Sequence, residues 1–237
     1  NGRNINLRCG STSPELIQAT VSGVHADVGI ALDGDGDRLV MVDHLGRIAD
    51  GDQLLYVIAS DRKRAGTLQG PVVGTVMSNL GLEQKLQAEG VEFLRAKVGD
   101  RYVLAMLKEH GGVLGGETSG HLLCLDRTTT GDGLVSALEV LAVMKRTGRP
   151  LAELVAGMPK FPQVMINVRV RERIDPSQSQ VIQDAVRRVE KVLGSTGRVV
   201  LRASGTEPVI RVMIEAEDEA VASRYASELA EVVRTAI

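Results

Sequence analysis

Two kinds of pattern alternate along this chain. Short apolar runs, VGIAL from Val28, LVMVD from Leu39, PVVGTVM from Pro71, VEFLRA from Val91, VLGGE from Val113 and HLLCL from His121, take turns with stretches of helical spacing. The spacing predicts helices over about Asp52 to Arg64, Leu82–Glu89, Arg101–His110 and Asp132–Arg146. Strands that alternate with helices imply an α/β layer structure with a largely parallel sheet. Upstream, Ser13-Pro14-Glu15 reads as a helix start, with a cap residue, a proline in the first turn and an acid after it. Leu16, Ile17, Val21 and Val24 would then form a buried stripe.

The pattern changes near Met158–Pro162, where MPKFP reads as a linker. Beyond it come strand QVMINVRV, a helix over Gln178–Leu193, strand RVVLRA, the loop SGTEP, strand VIRVMIEA and a helix over Glu219–Ala236. That β-α-β-β-α order predicts a small, separate α+β domain. The opening NGRNINLRCG reads as mid-domain sequence already entering an element.

With 237 residues the chain has room for one large domain or two modest ones. A net charge of −2 argues against a nucleic-acid partner, which calls for a basic field. Any bound anion must therefore be held by local donors. Cys9 and Cys124 have no metal-ligand spacing and read as free thiols in a reducing compartment. The apolar stretch LVSALEVLAVM is too short to span a bilayer, and no basic segment followed by an apolar one opens the sequence. The expectation is a cytoplasmic protein without membrane partners.

Asp33-Gly34-Asp35-Gly36-Asp37-Arg38 places three carboxylates within five residues between two apolar runs. Two like charges about 4 Å apart repel by roughly 4 kcal/mol at an effective dielectric near 20. Three that converge call for a cation, and a hard divalent ion with oxygen ligands, Mg²⁺ above all, is the natural one. The intervening glycines let alternate carboxylates turn toward one centre. A calcium-binding EF-hand loop does not fit, because its sixth position would be Arg38 where Gly is needed, and its twelfth His44 where Glu is needed. The plain alternative is an Asp-Gly turn between two strands.

Three further stretches carry chemistry. In Gly115–His121, GGETSGH, the residues Glu117, Ser119 and His121 alternate and offer an acceptor, a hydroxyl and an imidazole suited to sugar hydroxyls; a solvated glycine-rich loop is the alternative. Arg202-Ala203-Ser204-Gly205-Thr206-Glu207-Pro208, followed by Arg211, reads as a phosphate cradle of two hydroxyls, turn amides and two guanidinium forks. A hairpin turn with two surface arginines is the alternative there. At a strand-to-helix junction, Lys97 and Arg101 could meet a phosphate at a helix N-terminus, and Lys97 could serve as a general acid or base. Of the four histidines, His25, His44 and His110 read as surface residues.

Taken together, NINLRCGST, DGDGDR, AKVGDRYV, the TTTGDG run at Thr128–Gly133 and SGTEPVIRVMIEAE resemble the α-D-phosphohexomutase family over the whole chain. The resemblance implies three-layer α/β domains with mixed sheets, followed by an α+β phosphate-binding domain of TBP-like type. It implies that residues 1–47 are the end of a second domain carrying the metal loop, 48–160 a third with the sugar loop, and 161–237 a fourth that binds phosphate. It also implies interconversion of glucosamine 6-phosphate and glucosamine 1-phosphate, on the route to UDP-N-acetylglucosamine and peptidoglycan, through a phosphoserine enzyme and a bisphosphorylated sugar.

In that frame Asp33, Asp35 and Asp37 would ligate Mg²⁺, with Arg38 beside the transferring phosphoryl group. Glu117 and Ser119 would grip sugar hydroxyls with His121 nearby, and Lys97, Asp100 and Arg101 would lie at the reacting end. Arg202, Ser204, Gly205, Thr206 and Arg211 would hold the phosphate that does not react. The family's serine sits in a T-A-S-H-N-P-type loop that matches nothing in this sequence, so the chain alone is expected not to turn over. Mannose or glucose phosphates are alternative substrates, a non-catalytic metal-dependent sugar-phosphate-binding module is an alternative role, and the oligomeric state is left open with a homodimer as one candidate.

Overall fold

The computed structural model describes residues 2–170, 175–204 and 207–236. The chain divides into two compact units, Asn1–Pro159 and Lys160–Ile237, and the division falls inside the expected MPKFP linker.

The first unit opens with turns and then helix α1 (Glu15–Val24). An antiparallel three-stranded sheet follows, formed by β1 (Val28–Leu32), β2 (Leu39–Asp43) and β3 (Ile48–Ala49), so this sheet runs two residues past the expected boundary at 47 and 48. Ile17 and Val21 of α1 lie where a Cβ on Gly29 would sit, and that fit lets the helix approach β1 closely. The expected stripe is only partly right. Val21 is buried, but Leu16 and Val24 are 58% and 67% exposed, because only the Ile17–Val21 edge of α1 faces the sheet. Nor does Ser13 cap the helix amides: its hydroxyl donates to Glu15, and Pro14 holds the N-cap position.

Helix α2 (Gly51–Arg64) begins with a capping box: Asp50 accepts the N–H of Gln53, whose side chain accepts the N–H of Asp50. It is buried for most of its length, through Leu54, Leu55 and Ile58 among others. After it come β4 (Val72–Thr75), α3 (Leu80–Ala88), β5 (Phe93–Ala96), α4 (Asp100–His110), β6 (Leu114–Gly116), β7 (Leu122–Cys124), α5 (Gly133–Thr147) and the short α6 (Leu151–Val155), which has no counterpart in the sequence reading. The four strands form one mixed sheet in the order β5-β4-β6-β7, with β4 parallel to β5 and β6, and β7 antiparallel to β6. Side-chain alternation along β4 sends Val72 into a core shared with α2, α3 and α5, and Val73 into a second core against Val103 and Leu107 of α4. The result is a three-layer α/β/α arrangement. The parallel topology is confined to this sheet.

The second unit contains β8 (Gln163–Arg169), α7 (Gln180–Leu193), β9 (Gly197–Ala203), β10 (Val209–Ala216) and α8 (Glu219–Thr235), with antiparallel strand order β8-β10-β9. Its core joins Ile210, Val212 and Ile214 of β10 to Ile182 and Val189 of α7 and to Ala222, Ala226 and Val233 of α8. Small residues on α8 bring the helix close to the sheet. This is the β-α-β-β-α order expected from the sequence.

Candidate functional site

The DGDGDR stretch is a hairpin loop. Leu32 of β1 pairs with Leu39 of β2, and the six residues between them close the connection. Asp33 N–H donates to the Arg38 carbonyl, Gly36 N–H donates to the Asp33 carbonyl, and Arg38 N–H donates to Asp33 Oδ1. Gly36 adopts φ +77°, the left-handed conformation that glycine allows without a Cβ penalty. The turn and the carboxylate cluster, posed above as alternatives, are thus one feature. The turn is what gathers the acids.

One carboxylate oxygen from each of Asp33, Asp35 and Asp37 lies within 4.8 Å of the others. Asp37 Oδ1 is buried and has no hydrogen-bond partner, a costly state for an acceptor unless something cationic completes it. The other Asp37 oxygen, Oδ2, lies 2.8 Å from His121 Nδ1. A carboxylate only accepts, so Nδ1 carries the proton. These oxygens fit a hard divalent cation: three hard donors converge, one is orphaned, and Asp37 is oriented from behind.

His121 is therefore not on an open sugar-facing surface. It is 5% exposed, its backbone forms a bridge with Arg38, and its ring packs where a Cβ on Gly131 would lie. The other three histidines are exposed, as expected. The GGETSGH segment links β6 to β7 as a tight turn in which Glu117 N–H donates to the His121 carbonyl and Gly120 N–H to the Glu117 carbonyl. Gly120 has φ +92°, and a Cβ there would lie 1.9 Å from the Leu39 carbonyl oxygen. Its own carbonyl accepts the N–H of Leu39 at 3.0 Å, which stitches this turn to the carboxylate hairpin.

Glu117 is half-buried and Ser119 exposed. Glu117 Oε1 accepts the N–H of Gly99, the residue that caps α4, so the turn also fixes the Lys97–Arg101 stretch. Lys97, Asp100 and Arg101 are exposed at that strand-to-helix junction. Lys97 Nζ lies 6.0 Å from the Tyr102 ring centre, and the Arg101 guanidinium stacks on the same ring at 4.6 Å. Such stacking holds Arg101 flat against Tyr102 while leaving both cations near the start of α4.

Sequence reasoning did not single out Gly51, Asp52 and Thr118. Thr118 donates its hydroxyl to Asp52 Oδ2 at 2.7 Å, and its carbonyl accepts the N–H of Gly51 at 3.1 Å. Asp52 is fully buried. Burial first, and the nearby Asp50 charge second, push its carboxyl up to about 6, against the opposing pull of the Asn79 amide and the Thr118 and Ser78 hydroxyls. In the sequence it reads as an ordinary first-turn acid.

In the second unit, Arg202 of β9 and Arg211 of β10 are direct cross-strand partners. Burial lowers the pKa of Arg202, and the Arg211 charge beside it lowers it further. Arg202 Nε is buried without a hydrogen-bond partner. Two like charges set side by side, one of them with a buried, unsatisfied donor, suit an anion. Ser204 is buried; its N–H donates to the Val209 carbonyl, and its hydroxyl accepts the N–H of Glu207. Gly205 and Thr206 lie outside the described residues.

Residues 50–161 match the model of the phosphoglucomutase/phosphomannomutase alpha/beta/alpha domain III, and residues 165–232 that of the phosphoglucomutase/phosphomannomutase C-terminal domain. The chain is 57% identical over 235 residues to the phosphoglucosamine mutase of Alkalilimnicola ehrlichii, covering 99% of this chain and 52% of that protein. It is likewise 57% identical to the phosphoglucosamine mutase of Methylococcus capsulatus, covering 99% of this chain and 53% of that protein. The chain thus spans about half the length of the curated relatives it matches. Among solved structures, the N-acetylphosphoglucosamine mutase of Aspergillus fumigatus, in complex with GlcNAc-6P and magnesium, shares the fold with a TM-score of 0.79 at 21% identity, over 96% of this chain and 57% of that one. Two domain models in their family order, and relatives that match from end to end of the chain, converge on one result: this chain belongs to the phosphoglucomutase/phosphomannomutase family, the α-D-phosphohexomutases.

Proposed function

We propose that this chain forms the metal-binding, sugar-binding and phosphate-binding parts of a phosphoglucosamine mutase. The reaction would interconvert glucosamine 6-phosphate and glucosamine 1-phosphate through a phosphoserine and a bisphosphorylated sugar. The observation that carries the reading is the Asp33–Asp35–Asp37 hairpin, with its orphaned Asp37 Oδ1, tied by hydrogen bonds to the turn that presents Glu117 and Ser119. The 57% identity to phosphoglucosamine mutases favours glucosamine over mannose or glucose.

Asp33, Asp35 and Asp37 would hold Mg²⁺, which when bound would neutralise charge on the transferring phosphoryl group. His121 keeps Asp37 oriented through its Nδ1 contact, as outer-shell partners of metal ligands commonly do. Arg38 leaves the hairpin beside the triad, its Nε 3.8 Å from Asp33 Oδ2 and its side chain about half exposed, and would offer its remaining N–H donors to phosphoryl oxygens. Glu117 and Ser119 would accept and donate hydrogen bonds to sugar hydroxyls. Lys97, Asp100 and Arg101 would meet the reacting end, and Arg202 and Arg211, with Ser204, Gly205 and Thr206, the distal phosphate. Catalysis of this kind is positioning and charge stabilisation rather than covalent chemistry on these side chains.

The test has two arms. A protein of the relatives' full length that carries this chain should turn over glucosamine 6-phosphate in a coupled assay, with higher kcat/KM than for mannose or glucose 6-phosphate; a preference for either of the latter would overturn the sugar assignment. Calorimetric titration of Mg²⁺ into the chain and its Asp35→Asn variant should give affinities at least about tenfold apart, since each converging carboxylate adds a charge-assisted contact. Equal affinities would remove the metal assignment.

A further inference from the structure

Thr118 lies between the two side chains assigned to the sugar, Glu117 and Ser119, and is held by both of its polar groups. Gly51 N–H donates to its carbonyl at 3.1 Å, and its hydroxyl donates to Asp52 Oδ2 at 2.7 Å. The same carboxylate oxygen accepts the N–H of Asn79 at 2.9 Å. Asn79 is the N-cap of α3 and follows β4, whereas Thr118 follows β6. These are the C-terminal ends of neighbouring parallel strands, where ligands bind in such sheets. One fully buried carboxylate therefore ties together two of the segments that form the mouth of the sheet.

Steric fit supports the same reading. A Cβ on Gly51 would lie 2.0 Å from the Glu117 carbonyl oxygen and 2.7 Å from Gly120 N, so the first turn of α2 rests directly on the backbone of the turn. Asp52 projects from that turn of helix into a site with no exposure, where an aliphatic side chain would be the less costly occupant. Burial alone does not call for an acceptor there; the two bonds to Oδ2 do, while Oδ1 is buried without a partner. We propose that Asp52, acting through Thr118, is a positioning residue that presets the backbone of the Glu117–Ser119 segment for the sugar phosphate.

This inference rests on the assignment of Glu117 and Ser119 as sugar ligands. A segment ordered before the ligand arrives spares the ordering cost on binding, so its loss weakens affinity more than it slows the chemical step. Thr118→Val keeps the shape and removes the donor, and Thr118→Ser restores it. Hydrogen exchange at the amides of Gly51 and Gly120, measured on this chain, should be faster by about tenfold in Thr118→Val and in Asp52→Leu, and near the parent rate in Thr118→Ser, as expected for one lost internal hydrogen bond. In the full-length protein, Thr118→Val should raise KM for glucosamine 6-phosphate by about tenfold with kcat within about threefold. Unchanged exchange in Thr118→Val, or equal loss in Thr118→Ser, would overturn the proposal. Should the parent full-length protein turn over no hexose phosphate, the functional assignment fails, while the exchange comparison still decides whether Asp52 sets the segment.

Discussion

Replacing Asp52 with Asn tests the energetics of the buried hub directly. The carboxyl of Asp52 moves from 3.8, its ordinary value, to about 6 in the folded protein, chiefly because burial disfavours the ionised form. A carboxyl whose folded pKa lies above its unfolded one binds more protons in the native state over the interval between them. Its contribution is therefore fully present below the unfolded value and is lost as pH rises through the folded value. Over that interval of about two pH units the loss is about 3 kcal/mol. Asparagine keeps an oxygen to accept from Asn79 and Thr118 and has no charge to bury; its NH2 takes the buried Oδ1 position, which has no partner, and that cost does not vary with pH. Relative to Asp52→Asn, the parent should thus lose about 3 kcal/mol of stability between about pH 4 and about pH 7, when urea unfolding of the two proteins is followed in parallel. The variant's melting temperature should therefore rise relative to the parent's by roughly 6–12 °C between about pH 4 and about pH 7, since 1 kcal/mol shifts Tm by about 2–4 °C at this size. A stability difference that stays flat with pH, or a parent that gains on the variant as pH rises, would refute the reasoning.

Two other perturbations follow from the geometry. Gly51→Ala drives a Cβ into the Glu117 carbonyl oxygen at 2.0 Å, a backbone atom that cannot swing aside, so the variant should unfold at lower urea with a loss of about 1–3 kcal/mol; stability equal to the parent would mean that α2 and the turn are not in register as described. Arg211→Leu removes one of the paired cations and the charge that depresses Arg202, so affinity for inorganic phosphate, measured by calorimetry, should fall by about tenfold or more. Unchanged phosphate affinity would exclude the pair as the anion site.

Element order in both units was legible because helix and strand signals are local. The ends of α4 and α8 fall within one or two residues of expectation, where short-range spacing and caps act. Helix α1 was placed correctly, yet its stripe was misread: periodicity reports which residues could be buried together, while Leu16 and Val24 have no partner surface among the described residues to bury them. The metal cluster was legible for an electrostatic reason, since three acids at alternate positions repel unless neutralised, wherever the chain takes them. The hairpin that gathers them was set aside as a competing reading, because an Asp-Gly turn and a cation site look like rivals until the strand register of Leu32 with Leu39 makes them one.

The types of chemistry available can be read along the chain: convergent carboxylates, a turn with a hydroxyl and a carboxylate, and two arginines framing a glycine turn. So can the alternation from which the three-layer unit follows. Which residue holds which depends on how the elements pack. His121 meets Asp37 across 84 positions, and Thr118 meets Asp52 across 66. Neither pairing leaves a local trace, because spacing encodes which side of a helix or strand a residue takes, whereas partners that meet across the core are chosen by how whole elements pack. The buried acid that orders the sugar-facing turn was invisible for that reason: on the chain it is one more charge in the first turn of a helix, and only burial makes it costly enough to need a purpose.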